Sequence, residues 1–298
     1  MKPSMIFHQY VWIINTLRRK GRLTFEQLNR RWMAEGVADG NPLPRSTFNR
    51  HRDAILDMFG VVIDCEKTTG YQYYIANPSV LDNDTIHSWM LSTLTVGSVL
   101  SDSLSIQERI ILENVPAGEE YLQTIIRAIK SNRKLKMGYK RFDDEGYEIT
   151  VEPYALKLFH QRWYMLTFTG HHIATYSLDR ITSLKITDIS FKMPSDFQPE
   201  DYFKEYFGVL TDESVPMQHV VVRAYGHTPN YLRTLPLHYS QKEIYTSDEY
   251  TEFTYDIRPT FDFCDHLLTH GPRIEVIKPE SLREQIANTI KEMQEKYK

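Results

Sequence analysis

Arg162-Trp163-Tyr164-Met165-Leu166 and, fourteen residues after Tyr164, Leu178-Asp179-Arg180-Ile181 are the stretches on which the reading of this chain turns. In an extended strand neighbouring side chains point to opposite faces, so Trp163 and Met165 share one face while Arg162, Tyr164 and Leu166 share the other. Strand texture extends outward from there. Leu135 to Lys140 alternates, Asp143-Asp144-Glu145-Gly146 reads as a turn, and Tyr147 to Leu158 is a long strand interrupted by Pro153. Ile173 to Leu178 follows the turn Gly170-His171-His172, and Ile181 to Ile189 closes the set. About five strands in roughly 55 residues must curl on themselves to enclose a core, which predicts a small closed or nearly closed barrel.

Residues 120–190 resemble a WYL domain in their order of features: a helix, a strand ending at Tyr139, Pro153 with Leu156 after it, the Trp163-Tyr164-Met165 triplet, and Tyr176-Ser177-Leu178-Asp179-Arg180-Ile181. The resemblance implies an SH3-like or Sm-like barrel over 120–192 that senses a nucleic-acid or nucleotide ligand and is joined to a winged-helix head. Met165 stands where the family name has leucine, a swap of similar volume. Ala174 and Ser177 stand where the family commonly carries basic residues, which predicts a thinner cationic patch. The remaining ligand-binding candidates are Tyr139, Lys140, Lys157, His160, Arg162 and Arg180, with Tyr164 as a stacking surface. Arginine forks suit phosphate oxygens, and aromatic faces hold bases. Each has a plainer reading: a local salt bridge from Arg180 to Asp179, core packing for Trp163 and Tyr164, and a solvated turn for His171-His172.

Residues 1–78 read as a winged helix-turn-helix. Ile6, Tyr10, Ile13, Ile14 and Leu17 recur at helical spacing, ending at Arg18-Arg19-Lys20-Gly21 with cations and a glycine. Thr24 and Gln27 form the sequence signature of a capping box for a second helix carrying Leu28 and Trp32. A third helix begins at Pro44-Arg45, turns Phe48, Ile55, Leu56 and Phe59 inward, and exposes Arg45, Ser46, Thr47, Asn49, Arg50 and His51 as DNA-binding candidates. A hairpin follows, Val61 to Cys65 and Tyr71 to Ile75, around a turn containing Thr69 and Gly70. Residues 1–77 hold 11 Lys/Arg against 7 Asp/Glu and the remainder 24 against 32, a head of +4 on a body of −8. That asymmetry suits a phosphate-binding head on an acidic body.

Residues 79–119 read as a helical connector. The apolar spacing from Ile86, Trp89, Met90 and Leu94 through Ile106, Ile110 and Ile111 is broken at Gly97 and at Pro116-Ala117-Gly118. It resumes at Tyr121, Leu122, Ile125, Ile126 and Ile129, and a segment of this kind suits a homodimer contact. After a linker, 193–216, with a helical stretch from Pro199 to Phe207, residues 217–298 give strand, helix, two strands, helix, strand and a terminal helix. This is a ferredoxin-like order, similar to the C-terminal extension of WYL-domain regulators.

Composition excludes several classes. Neither a transmembrane stretch nor a signal peptide is read from the sequence, so a cytoplasmic protein without membrane contact is expected. Cys65 and Cys264 lie far apart with no metal-ligand spacing, so no metal and no cofactor are expected. The phosphate-loop, dinucleotide, metalloprotease and nucleophile-elbow motifs are all missing, which argues against an enzyme. The reading is an α+β, multidomain, ligand-responsive transcriptional regulator acting as a homodimer on double-stranded DNA, with a nucleotide or single-stranded nucleic acid at the WYL domain. A non-catalytic oligomerisation protein and a nucleotide-processing enzyme are the alternatives.

Overall fold

The computed structural model describes residues 3–68, 70–82, 86–102, 109–111, 118–142 and 145–298, and the chain divides into two compact units, Met1–Glu113 and Asn114–Lys298. The expected features at Thr69, Ile106, Pro116-Ala117 and Asp143-Asp144 lie outside the described residues.

The N-terminal unit opens with α1 (Pro3–Lys20), which ends on three basic residues and Gly21 at φ 75°. The strand β1 (Leu23–Thr24) leads into α2 (Phe25–Ala34), whose capping box is formed as expected. Thr24 Oγ1 accepts the Gln27 amide at 3.2 Å while the Thr24 amide donates to Gln27 Oε1 at 2.9 Å. Helix α3 (Arg45–Phe59) stops at Gly60, whose left-handed φ of 64° suits glycine. Strands β2 (Ile63–Glu66) and β3 (Gln72–Ile75) form the hairpin, and β1 joins it in the antiparallel order β1-β3-β2. Two residues carry no alternation to read, which is why β1 has no sequence signal.

Ile13, Ile14, Leu17, Leu28, Trp32, Phe48, Ile55 and Phe59 fill the core of this unit. Leu56, expected inside, is 47% exposed, because it follows Ile55 by one position and turns about 100° away from the buried stripe. Helix α4 (Ile86–Asp102) packs on α1 and α3 and runs unbroken through Gly97, where a break was expected. A single glycine costs a helix only about 1 kcal/mol, and Leu91 and Leu94 pack α4 against the core.

In the C-terminal unit, α5 (Leu122–Ser131) lies against strands β4 (Arg133–Tyr139), β5 (Tyr147–Phe159), β6 (Arg162–Phe168), β7 (Ile173–Ser177) and β8 (Ile181–Ser190). The antiparallel order is β7-β6-β5-β4-β8. The first half of β5 pairs with β4 and its second half with β6, and the pairing with β6 shifts register between Pro153 and Ala155. Proline donates no ladder hydrogen bond, so an irregularity there is the expected way to accommodate it. The two ladders that share β5 enclose Leu135, Met137, Val151, Met165, Tyr176 and Leu178 together with Ile125 and Ala128 of α5. Among the described residues no ladder joins β7 to β8; the short turn Leu178–Arg180 connects them, so the hydrogen-bonded sheet stays open at that point.

Residues 193–216, the connector between the five-stranded domain and the last one, carry α6 (Pro199–Lys204) and lead to β9 (Gln218–Tyr225), α7 (Thr228–Thr234), β10 (Lys242–Thr246), β11 (Tyr250–Ile257), α8 (Phe261–Thr269), β12 (Ile274–Lys278) and α9 (Glu280–Glu295). The four strands form one antiparallel sheet in the order β10-β11-β9-β12, with Val220, Val222, Phe253, Tyr255, Phe263 and Leu267 in its core. The element order matches the expectation from the sequence. The chain is α+β, built on several antiparallel sheets.

Gly208 ties the connector to both neighbours. Its carbonyl accepts from Lys157 Nζ at 2.6 Å, and a Cβ there would lie 2.1 Å from Asp262 Oδ2. That carboxylate cannot retreat cheaply, because it accepts the amides of Val209, Leu210 and Phe263. Gly208→Ala is therefore expected to cost about 1–3 kcal/mol of stability, the usual range for overpacking a filled site. Thermal unfolding of the variant beside the parent chain measures it.

Candidate functional site

Alternation along β4 turns Leu135, Met137 and Tyr139 inward, and Tyr139 ends the strand with its ring edge-on to Tyr176 at 4.8 Å and to Tyr147 at 6.1 Å. The Ser177 amide donates to Tyr139 Oη at 3.3 Å, fixing β7 beside the end of β4. Burial raises the pKa of both Tyr139 and Tyr176, so both stay neutral donors at physiological pH. Above these rings lies a cleft of about 510 Å³, walled by Tyr139, Thr175 and Tyr176 and bordered by Arg141, Phe142, Arg180, His172 and Ala174.

Two residues of the cleft carry a buried polar atom that finds no hydrogen-bond partner among the described residues: Arg180 at Nε and Thr175 at Oγ1. The Arg180 guanidinium lies 3.7 Å from the centre of the Phe142 ring, which is 77% exposed, and Arg141 lies over Tyr147 at 5.6 Å. Asp179, the nearest carboxylate in sequence, is held by Arg162 at 3.6 Å and by the Ser177 hydroxyl. Among the described residues neither Arg141 nor Arg180 has a carboxylate partner. Two guanidinium groups, a buried hydroxyl and an open aromatic face suit an anion that carries a planar group. Charge-assisted forks take the anion, and the ring takes the planar part.

Of the seven ligand candidates read from the sequence, Tyr139 and Arg180 line this cleft; Lys140, Lys157, His160, Arg162 and Tyr164 do not. Lys140 follows Tyr139 by one residue, so its side chain leaves the Tyr139 face, and its amide bonds the Arg180 carbonyl at 3.1 Å. Lys157 and Tyr164 face each other across β5 and β6, on the side away from Trp163 and Met165. The Lys157 ammonium sits 3.9 Å from the Phe203 ring and bonds Gly208, and burial pulls its pKa down to about 8. Burial also raises the Tyr164 pKa. His160 and Gln161 form the tight turn between β5 and β6, both at positive φ, and His160 stacks on Phe159 at 4.0 Å. Arg162 is spent on Asp179, so the salt bridge considered for Arg180 belongs to Arg162 instead.

Sequence reasoning missed Arg141, Phe142, Thr175 and Tyr176. The signal was available at two places: the residue two beyond an inward Tyr139 returns to its side, and Thr175-Tyr176 borders the Tyr176-to-Ile181 motif. His172, read as a solvated turn, borders the cleft.

Helix α3 presents the second candidate surface. Arg45, Ser46, Asn49 and Arg50 are exposed and Thr47 is half-buried, with Arg50 Nη2 donating to Thr47 Oγ1 at 3.3 Å. Arg45 lies 4.7 Å from the Phe25 ring centre, which directs it along the N-terminal end of the helix. His51 departs from the expectation. It is buried, edge-on to Tyr10 at 5.0 Å and stacked with Trp32 at 6.4 Å. Phe48, His51 and Ile55 stand three and four apart on one helix face, so the packing of Phe48 and Ile55 carries His51 inward. Burial, then the neighbouring Arg50 charge, lowers its pKa. His51→Ala is expected to lower stability by about 1–3 kcal/mol, the range for lost core packing, while leaving the exposed polar face intact. Circular dichroism melting reads this out.

Arg52 also turns away from the exposed set, donating twice to the Ile63 carbonyl at 3.0 and 2.6 Å and joining α3 to the hairpin. Among the described residues no group of three potential ligands is placed to hold a metal ion, and no helix is long and apolar enough to cross a membrane.

The β-rich domain and the sheet-and-helix domain that follows it in the chain define a modular protein with a cleft lined by Arg141 and Arg180 in the first of them. The WYL domain family matches residues 120–186 and the WCX domain family residues 216–294, so this chain carries a WYL domain followed by a WCX domain. No curated protein matches it. Sixteen chains among the solved structures are similar, two of them as follows. Proteasome accessory factor B/C (PafBC) of Arthrobacter aurescens shows 17% identity over 95% of this chain and 46% of that one, with a TM-score of 0.36. A CRISPR Cas-related protein shows 12% identity over 99% of this chain and 85% of that one, with a TM-score of 0.37. The chain thus spans about half the length of the PafBC chain.

Proposed function

We propose that this WYL-domain protein is a ligand-responsive, DNA-binding transcriptional regulator. In this reading the N-terminal unit is a winged helix-turn-helix that places α3 in the major groove. The five-stranded domain is an SH3-like or Sm-like sensor, and the C-terminal domain is a ferredoxin-like module. The protein acts in the cytoplasm as a homodimer, because paired heads reach paired half-sites. The ligand is a nucleotide or a short single-stranded nucleic acid, and the protein has no catalytic role.

One observation carries the sensing role: Arg180 Nε and Thr175 Oγ1 are buried, unpartnered, in a cleft that also offers Arg141 and an exposed Phe142 ring. Leaving buried polar groups unsatisfied costs about 1–3 kcal/mol each, a cost that a bound phosphate and its base would remove. The DNA role is supported by the exposed Arg45, Ser46, Asn49 and Arg50 on one helix and by the basic balance of the head. A gel-shift assay on the promoter region beside the gene, run with and without nucleotides and short single strands, tests both roles. A specific shift that responds to one of these additions is expected; no specific shift under any of these conditions overturns the reading.

A further inference from the structure

The β5–β6 turn of the WYL domain meets α8 of the WCX domain through aromatic rings and imidazoles. Phe207 of the connector stands between them, edge-on to Phe159 at 5.7 Å and 4.8 Å from His266. His160 of the turn lies 6.4 Å from His266, and His266 lies 5.3 Å from His270, one helical turn further along. Three imidazoles thus run from the β5–β6 turn onto α8. Among the described residues His270 Nε2, at the far end of the three, is buried without a hydrogen-bond partner.

We infer that this contact is a proton-operated latch: with neutral imidazoles the β5–β6 turn docks on α8, and protonation of His266 and His270 releases it. The surrounding charges favour release. His266 faces His270 on its own helix and His160 across the contact, and His270 faces Arg273 just beyond the helix. Arg273 is cationic, and His266 and His270 repel each other once both are protonated. Asp262, four residues before His266 in α8, is committed to the amides of Val209, Leu210 and Phe263 and to the Thr260 hydroxyl, while Lys157 is committed to Gly208. Phe207 can hold one imidazolium by its ring face, but not neighbouring ones that repel each other.

Burial is the largest cause that lowers the pKa of both His266 and His270 below the ordinary 6.5. A histidine whose pKa is depressed in the docked state stabilises docking fully above 6.5 and loses that contribution as pH falls through the docked value. The latch is therefore closed at about pH 7.5 and weakened in mildly acidic solution. Arg162 directly follows the turn and holds Asp179, beside Arg180, so the latch sits one residue from the chain of contacts that ends at the cleft.

Hydrogen exchange on the full chain at about pH 7.5 and about pH 5.5, corrected for the intrinsic pH dependence of exchange, tests the inference without any ligand. Protection of 207–210 and of the side of α8 that carries His266 is expected to fall by about tenfold at the lower pH, while β4 stays protected. In His266→Gln/His270→Gln the loss is expected to vanish. Should the pair perturb folding, His266→Gln alone is expected to reduce the loss. Flat protection in the parent chain, or an unchanged loss in the double variant, overturns the latch.

Discussion

Arg180→Ala is expected to fold normally, to bind DNA like the parent chain in the absence of ligand, and to bind oligothymidylate about 10- to 100-fold more weakly. The size follows from a charge-assisted fork, which contributes roughly twice a neutral hydrogen bond. The native state loses little, because Arg180 makes no ion pair among the described residues and its one ring contact is to the exposed Phe142. Its buried Nε has no partner to abandon. Isothermal titration of both proteins measures the weakening, and matching melting temperatures separate it from misfolding. An unchanged oligothymidylate affinity would remove Arg180 from the site.

The second large effect falls on the other unit. Arg45→Ala/Arg50→Ala is expected to weaken DNA binding by about 10- to 100-fold at moderate salt whatever the ligand. The slope of log affinity against log salt should drop by about one for each phosphate that is no longer neutralised. Among the described residues neither arginine makes an ion pair, and both lie at the exposed start of α3, so the fold should survive. Fluorescence anisotropy at several salt concentrations gives the slope. Weaker binding without a change of slope would mean that these arginines act through helix geometry and not through phosphate.

The fold was legible wherever one local rule sufficed. The capping box at Thr24 and Gln27, the stop of the first helix at Gly21 and the strand-helix order after Gln218 each depend on neighbours within a few residues, and each is found as read. The site was legible only in part, because its geometry depends on which face a residue takes after several strands have been joined. Tyr139 and Arg180 were found through the motif. Lys157, His160 and Arg162 carry the right chemistry but sit on the opposite face or in the turn, where Gly208, Phe207 and Asp179 claim them. Arg141 was missed because its position past the end of the strand hides the alternation that returns it to the Tyr139 side. His51 departs for the converse reason: its helical position, three residues after Phe48 and four before Ile55, outweighs its polarity.

The division of labour between the head and the WYL cleft is tested most directly by measuring promoter DNA affinity with and without saturating oligothymidylate, in the parent chain and in Arg180→Ala. The predicted result is that the oligonucleotide changes the parent chain's DNA affinity by about tenfold or more, an order-of-magnitude coupling between sites. In the variant no change is predicted, and its affinity in the absence of oligonucleotide matches the parent. Equal responses in the two proteins, or no response in either, would contradict it.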